Sequence, residues 1–318
     1  MQVPRRNRKL LRRILLGKEN VSQRYHLALR EPQAEVDVWL HGAGDPIDVT
    51  HIHLMACGAP LTICIGFAQG QAEDLKSKAP LTLRFQEHAG SQRLLGEIVL
   101  QFAFSLLAGG RELCLFYVAG SRNLSLPRFR FWIYSLFQEY GRRRFREADA
   151  PITAADSKAM TVFYLCPRAT ALVTVGDENG GNLFPMNLMG WVGGDTFAFG
   201  LNSSRSAAPL VEQARRVVLS SFPQEQLHLL PLLGKNHRKS SIDWNQLPFP
   251  IIRPRTIHAP VPAFAQVVRE MQVVEHLRLG SHTLFVAKMV AEEELADGPR
   301  HYTAHGMYGA WKRRSAGI

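Results

Sequence analysis

Strand-length apolar runs, set off by glycine-rich turns and rarely interrupted by helix, constrain the fold of this chain more than any other feature. Glu35-Val-Asp-Val-Trp-Leu40 alternates polar and apolar residues, the signature of a half-buried strand. Leu61–Phe67, Leu81–Phe85, Glu97–Phe102 and Leu113–Val118 read as further strands. In the second half Ala169–Val175 is rich in β-branched residues. Asn182–Met189 is a short extended piece, and Asp195–Leu201, Val217–Phe222, Ala265–Leu277 and His282–Val290 are strands. Asp177-Glu-Asn-Gly-Gly181 is a tight turn with glycines where positive φ is needed, and Leu279-Gly-Ser281 is a further turn. The pattern predicts two helices. One runs from Phe129 to Phe145, with Trp132, Leu136 and Tyr140 on one face and Arg142–Arg144 in its last turn; the other runs from Ser206 to Arg216. There is no βαβ alternation and no internal repeat. Antiparallel strands with few helices imply a barrel rather than a doubly wound sheet.

A length of 318 residues suits two domains. The small, polar segment Glu147–Asp156 takes the boundary. The expected organisation is a basic arm over 1–20, a sheet-rich α+β domain over 21–150 to which no chemistry can be assigned, and an antiparallel barrel over 151–318. The formal net charge is +11, and the arm concentrates it in Arg5, Arg6, Arg8, Lys9, Arg12, Arg13 and Lys18, with no acid before Glu19. A basic helix over Arg8–Leu16 would suit anionic lipid or RNA; a frayed, solvated terminus is the alternative. Cys57, Cys64, Cys114 and Cys166 form no C-x-x-C pair, so buried reduced thiols are expected. His51 and His53 alternate on one strand face, but with Cys57 they match no zinc spacing and are taken as ordinary polar positions. No apolar stretch is long enough to cross a bilayer, and a cytoplasmic location is expected.

Several chemistries are missing from the sequence. No G-x-G-x-x-G opens a helix after a strand, and there is no Walker loop and no G-x-S-x-G elbow. What stands out is Asn202-Ser-Ser-Arg-Ser206, which leaves a strand and enters a helix. Helix N-terminal amides bind anions, and an arginine beside them can grip phosphate with two donors. The alternative is that Ser206 merely caps the helix.

The order of these pieces resembles the flavin reductase family of FMN-binding split barrels. Pro167–Val175 followed by Asn182-Leu-Phe-Pro-Met-Asn187 is similar to that family's opening strand and first flavin loop. Asn202–Ser206 resembles its phosphate segment, Leu279-Gly-Ser-His-Thr-Leu-Phe-Val-Ala287 its Gly-x-His strand, and His301–Tyr308 its closing strand. The resemblance runs from Pro167 to Tyr308 and does not extend to residues 1–150. It implies a mainly β, α+β protein whose C-terminal half is an antiparallel, Greek-key split barrel binding FMN non-covalently. It implies that Asn182, Phe184, Met186 and Asn187 line the isoalloxazine, with Asn187 standing where the family often has serine or threonine. Asn202, Ser203, Ser204, Arg205 and Ser206 would hold the phosphate. His282 would lie near flavin and nicotinamide, or only brace the barrel; Tyr308 would flank the flavin or the dimer seam, or simply pack. Lys235, His237, Arg238 and Lys239 are candidates for the nicotinamide phosphates, a solvated loop being the alternative.

The implied activity is NAD(P)H:flavin reductase, passing hydride from a reduced nicotinamide to bound FMN and then electrons to free flavin, oxygen or a protein. The implied assembly is a homodimer with flavin at the interface. Two alternatives stand beside it: an FMN-binding oxidoreductase of the same fold without NAD(P)H activity, and a nucleic-acid or membrane-surface module acting through the basic arm.

Overall fold

The computed structural model describes residues 24–76, 80–144, 152–177 and 179–315. The expected basic arm and its helix lie outside them, as do residues 147–151 of the expected boundary segment. The strands of the first half are β1 (Tyr25–Leu29), β2 (Val36–His41), β3 (Ile47–Asp48), β4 (His53–Gly58), β5 (Leu61–Phe67), β6 (Leu81–Glu87), β7 (Leu94–Ala108) and β8 (Arg111–Asn123). Helices α1 (Arg128–Arg144) and α2 (Ala154–Phe163) follow. The second half adds β9 (Arg168–Ala169), β10 (Ala171–Asp177), β11 (Gly180–Met186), β12 (Met189–Gly193), β13 (Thr196–Asn202), α3 (Ala207–Ala214) and β14 (Arg216–Ser220). After a stretch of 3-10 turns and the four-residue α4 (Leu230–Leu233) come β15 (Ile251–Ile252), β16 (Val261–Pro262), β17 (Val267–Leu279), β18 (His282–Glu294), β19 (Arg300–Ala304) and α5 (Gly306–Ser315). Among the described residues no helix is long and apolar enough to cross a membrane.

Two seven-stranded antiparallel sheets dominate. Their orders are β3-β2-β6-β7-β8-β5-β4 and β11-β10-β14-β17-β18-β13-β12, and in neither do the edge strands join to close a barrel. Taken in order of appearance, the strands of both sheets follow one topology. The sequence showed no repeat, and the structure corrects that reading. The agreement reaches individual residues. Adding 171 to each residue number of the β7–β8 ladder gives the β17–β18 ladder: Gly96↔Asn123 becomes Val267↔Glu294, and Ala108↔Arg111 becomes Leu279↔His282. The two bulges also recur in place, Val99/Leu100 and Phe102/Phe104 against Glu270/Met271 and Val273/Glu275. Over these hairpins only Gln101/Gln272, Leu106/Leu277, Gly109/Gly280 and Leu113/Leu284 are identical. A ladder needs only pleat-compatible residues on the correct face, so the backbone pattern persists after the letters have diverged.

The sheets meet through equivalent strands. Leu54, Ala56, Cys64, Leu113 and Leu115 of the first half share one buried cluster with Val192, Ala198, Leu284 and Val286 of the second. The chain also crosses between the halves at its ends. β1 pairs with β19, and α2 with Met307, Tyr308, Ala310 and Trp311 of α5 is buried in the core of the first half. Helix α2 was not anticipated, although Thr153 and Asp156 form a complete capping box at its start. Helix α1 falls where the periodicity placed it, but with the opposite face inward. Ile133 and Tyr134 are buried, whereas Phe129, Trp132 and Leu136 are more than half exposed. Tyr134 is drawn in by its hydroxyl, 2.9 Å from the buried His305 ring nitrogen Nε2. All four cysteines are free and buried.

Candidate functional site

At the end of β13 the chain turns into α3 through Asn202-Ser-Ser-Arg-Ser206. The Asn202 carboxamide oxygen accepts from the Ser204 amide (2.9 Å) and hydroxyl (2.7 Å), which folds the turn on itself. Ser203 is tied to β18, its hydroxyl 3.0 Å from that of Thr283. Ser206 occupies the N-cap position but makes no side-chain cap; its hydroxyl donates to the Arg238 carbonyl at 3.1 Å. Capping thus does not explain Ser206; in the first turn of α3 the Ala208 and Leu210 amides donate to the Arg205 and Ser206 carbonyls and Pro209 has no N–H, so that turn offers at most the Ala207 amide.

A cavity of about 210 Å³ opens beside this junction. Pro185, Met186, Asn187 and Leu188 wall one side, Gly200, Leu201, Asn202 and Arg205 another, and His237 and His282 complete it. The lining contains an arginine, two histidines and apolar side chains, but no carboxylate. Both histidines are held neutral. Burial first, and the Arg205 charge second, press His282 down to about 4. Burial also lowers His237, against a carbonyl contact that raises it, with Arg205 adding to the fall. Arg205 is therefore the cation at the cavity wall, backed by the positive end of a helix.

The sequence-selected residues separate into three groups. Met186, Asn187, Asn202, Arg205, His237 and His282 line the cavity, and Ser203, Ser204 and Ser206 shape the junction behind it. Asn182 and Phe184 do not line it. Asn182 is fully buried; its amide donates to the carbonyls of Asn236 (2.9 Å) and Lys239 (2.7 Å), fixing the loop that carries His237. Phe184 is buried against the His237 ring, with centroids 4.7 Å apart, and His237 shares a 2.8 Å hydrogen bond with the Pro185 carbonyl. Lys235, Arg238 and Lys239 are exposed on that same loop and do not line the cavity. Tyr308 is elsewhere, buried in the first half's core, where its hydroxyl donates to Glu35 at 2.5 Å. Of the alternatives for Tyr308, the structure displays packing.

Two features escaped sequence reasoning. The first is that first-half residues reach the cavity's histidine. The Gly58 amide lies 3.5 Å and the Cys57 sulfur 3.7 Å from His282 Nδ1, while the Ser281 hydroxyl is 2.8 Å away. An Nδ1 that accepts from an amide leaves the ring proton on Nε2. No linear signal could announce a contact across such a sequence separation. The second is Arg168, which is buried, donates to the His53 carbonyl at 3.0 Å, and meets His53 Nε2. His53 Nδ1 donates to the Val49 carbonyl at 2.6 Å, so His53 is an internal brace between the halves, kept neutral by burial and by Arg168. Among the described residues no His, Cys, Asp and Glu group could hold a metal ion.

No curated protein matches the chain. Among solved structures it is similar to an FMN-binding protein from Thermus thermophilus with bound p-hydroxybenzaldehyde, at 28% identity over 40% of this chain and 72% of that one, with a TM-score of 0.36. It is similar to the NADH:FAD oxidoreductase of Streptomyces globisporus C-1027, at 13% identity over 48% and 89% of the two chains, with a TM-score of 0.41. The styrene monooxygenase flavin reductase of Pseudomonas putida S12 aligns at 18% identity over 46% and 92%, with a TM-score of 0.36. The flavin reductase like domain model matches residues 163–312, which contain the whole cavity lining. This part of the chain is a flavin reductase like domain.

Proposed function

We propose that this protein is an FMN-dependent oxidoreductase that takes hydride from a reduced nicotinamide. One observation carries the reading: a strand-to-helix junction bearing Arg205 forms one wall of a cavity whose other walls are the Met186–Leu188 segment and two histidines lowered by burial. The donor set fits a phosphorylated planar ring. Arg205, with the positive end of α3 behind it, suits the phosphate. Pro185, Met186, Leu188 and Leu201 offer apolar contact for a ring, and Asn187 offers an amide to its polar edge. Ligand pockets usually enclose roughly 300–1,000 Å³, so part of an FMN would project beyond this hollow.

Bound FMN would supply the two-electron chemistry itself. The protein's part is placement and electrostatics. His282, neutral and with its proton on Nε2, can donate a hydrogen bond without adding a charge. Asn182 and Phe184 act through His237 by holding its loop. The exposed cations Lys235, Arg238 and Lys239 on that loop suit the phosphates of an incoming NAD(P)H.

The test is spectral. Purified protein with FMN is mixed anaerobically with NADH or NADPH, and flavin absorbance is followed. Bleaching by a reduced nicotinamide is expected. FMN binding without bleaching would leave a flavoprotein of the same fold without reductase activity, and failure to bind FMN would remove the reading altogether.

A further inference from the structure

The two sheets touch each other reciprocally, as two copies related by a twofold axis do. Thr62 pairs with Tyr117 and Thr196 with Lys288, so β5 maps onto β13 with Gly66 on Gly200. Both glycines are required by the opposite half. A Cβ on Gly66 would sit 2.1 Å from the Val192 carbonyl oxygen, and one on Gly200 would sit 2.6 Å from that of Ala56. Ala56 and Val192 are themselves equivalent, each lying at the bulge of the matching ladder, β4–β5 or β12–β13. The hairpin tips repeat the exchange. Arg111 donates to the Val192 carbonyl at 3.2 Å, and its counterpart His282 meets Cys57 and Gly58. The Gly109 carbonyl accepts from Thr196, and the Ser281 amide donates to the Ala59 carbonyl.

The halves differ where the anion cradle should be. Continuing the β5 register, Asn202-Ser-Ser-Arg-Ser206 corresponds to Ala68-Gln-Gly-Gln-Ala72, which has no cation and no hydroxyl. The partner of Thr283 is Glu112, a buried acid. Its carboxylate accepts from the Gly70 amide at 3.2 Å and pairs with Lys76 at 2.9 Å. Lys76 and the Gly70 amide hold that carboxyl below the usual range, so it stays charged. This carboxylate occupies the amide that an incoming phosphate would need, and it already engages the neighbouring lysine.

We infer that the first half is a second split barrel, closed to flavin by Glu112, that serves as a built-in partner subunit for a single flavin site formed by the second half. The inference rests on the flavin reading above. It replaces the homodimer implied by the family resemblance with a pairing inside one chain. Gly58 and Cys57, supplied by the first half, position His282.

The experiment uses the full-length chain, in sedimentation velocity over a wide concentration range and in a stoichiometric FMN titration followed by fluorescence quenching. The expected result is a one-chain species binding one FMN, with Arg205→Ala losing that FMN. Two FMN per chain, one FMN retained by Arg205→Ala with undiminished affinity, or a two-chain species that alone binds FMN would each overturn the inference. If no FMN binds at all, the flavin reading fails, and the mass then decides the internal pairing: a one-chain species upholds it and an obligate two-chain species overturns it.

Discussion

The two halves share a strand order, a hairpin register and a pair of bulges, yet one presents an arginine-bearing cradle and the other a buried carboxylate at the corresponding place. The comparison shows which features the fold needs and which the chemistry needs. The fold depends on pleat periodicity, on bulges that bend the long hairpins, and on glycines where one half's backbone presses on the other. None of this requires Ser203, Arg205 or His282. Ligand chemistry resides in the loops at the strand ends, which diverge without disturbing the ladders.

The largest effect should come from the reciprocal glycines. Gly66→Val and Gly200→Val each force a side chain into the other half's backbone, and each should cost about 3 kcal/mol or more, the upper end for overpacking. Denaturant midpoints of the two variants check this. A large loss in one and none in the other would break the twofold relation. Next, Arg205→Ala should weaken FMN binding about 10- to 100-fold, as expected for losing a hydrogen bond to a charged group. Its first-half counterpart Gln71→Ala should leave FMN affinity within about twofold, surface changes being near neutral. Equal losses would mean that both halves hold flavin.

The pH response sharpens the comparison further. His282 and His301 are both lowered to about 4 by burial, and His53 is lowered as well. A histidine whose folded pKa lies below its unfolded value of 6.5 contributes stability above pH 6.5 and loses it as pH falls toward 4, because the unfolded chain binds the proton more readily. Thermal midpoints should therefore drop between pH 6.5 and 4. His282→Gln should flatten part of that drop, and an unchanged profile would count against a buried neutral His282. On the nicotinamide side, Lys235→Ala with Arg238→Ala should raise the KM for NADPH several-fold with FMN affinity unchanged, since both residues are exposed and lie outside the cavity lining. The smallest effect is expected at Trp132→Ser on α1. That ring is more than half exposed, so stability should move by about 0.5 kcal/mol or less.

Most strands were legible because alternation and β-branching are local signals, and the junction was legible because serine, arginine and a following helix are adjacent in sequence. Helix α2 was legible too, through Thr153 and Asp156, but its small, polar opening looks like a linker until the capping box is recognised. The orientation of α1 was not legible: Phe129, Trp132 and Leu136 form an apolar stripe, yet the buried contact uses Ile133 and Tyr134. Tyr308 illustrates a different limit. Its place in the closing segment resembles the family, but its burial beside Glu35 depends on α5 crossing to the first half.

By itself the sequence determined the antiparallel β class, the strand-to-helix junction at Asn202–Ser206 and the free, buried character of the cysteines, because each depends on residues close together along the chain. Only the tertiary structure decided that the first half repeats the second, that Glu112 takes the Gly70 amide, and that Gly58 and Cys57 reach His282. Those properties depend on backbone register and on contacts between distant segments, and hydrogen-bonded ladders hold both constant while side chains change.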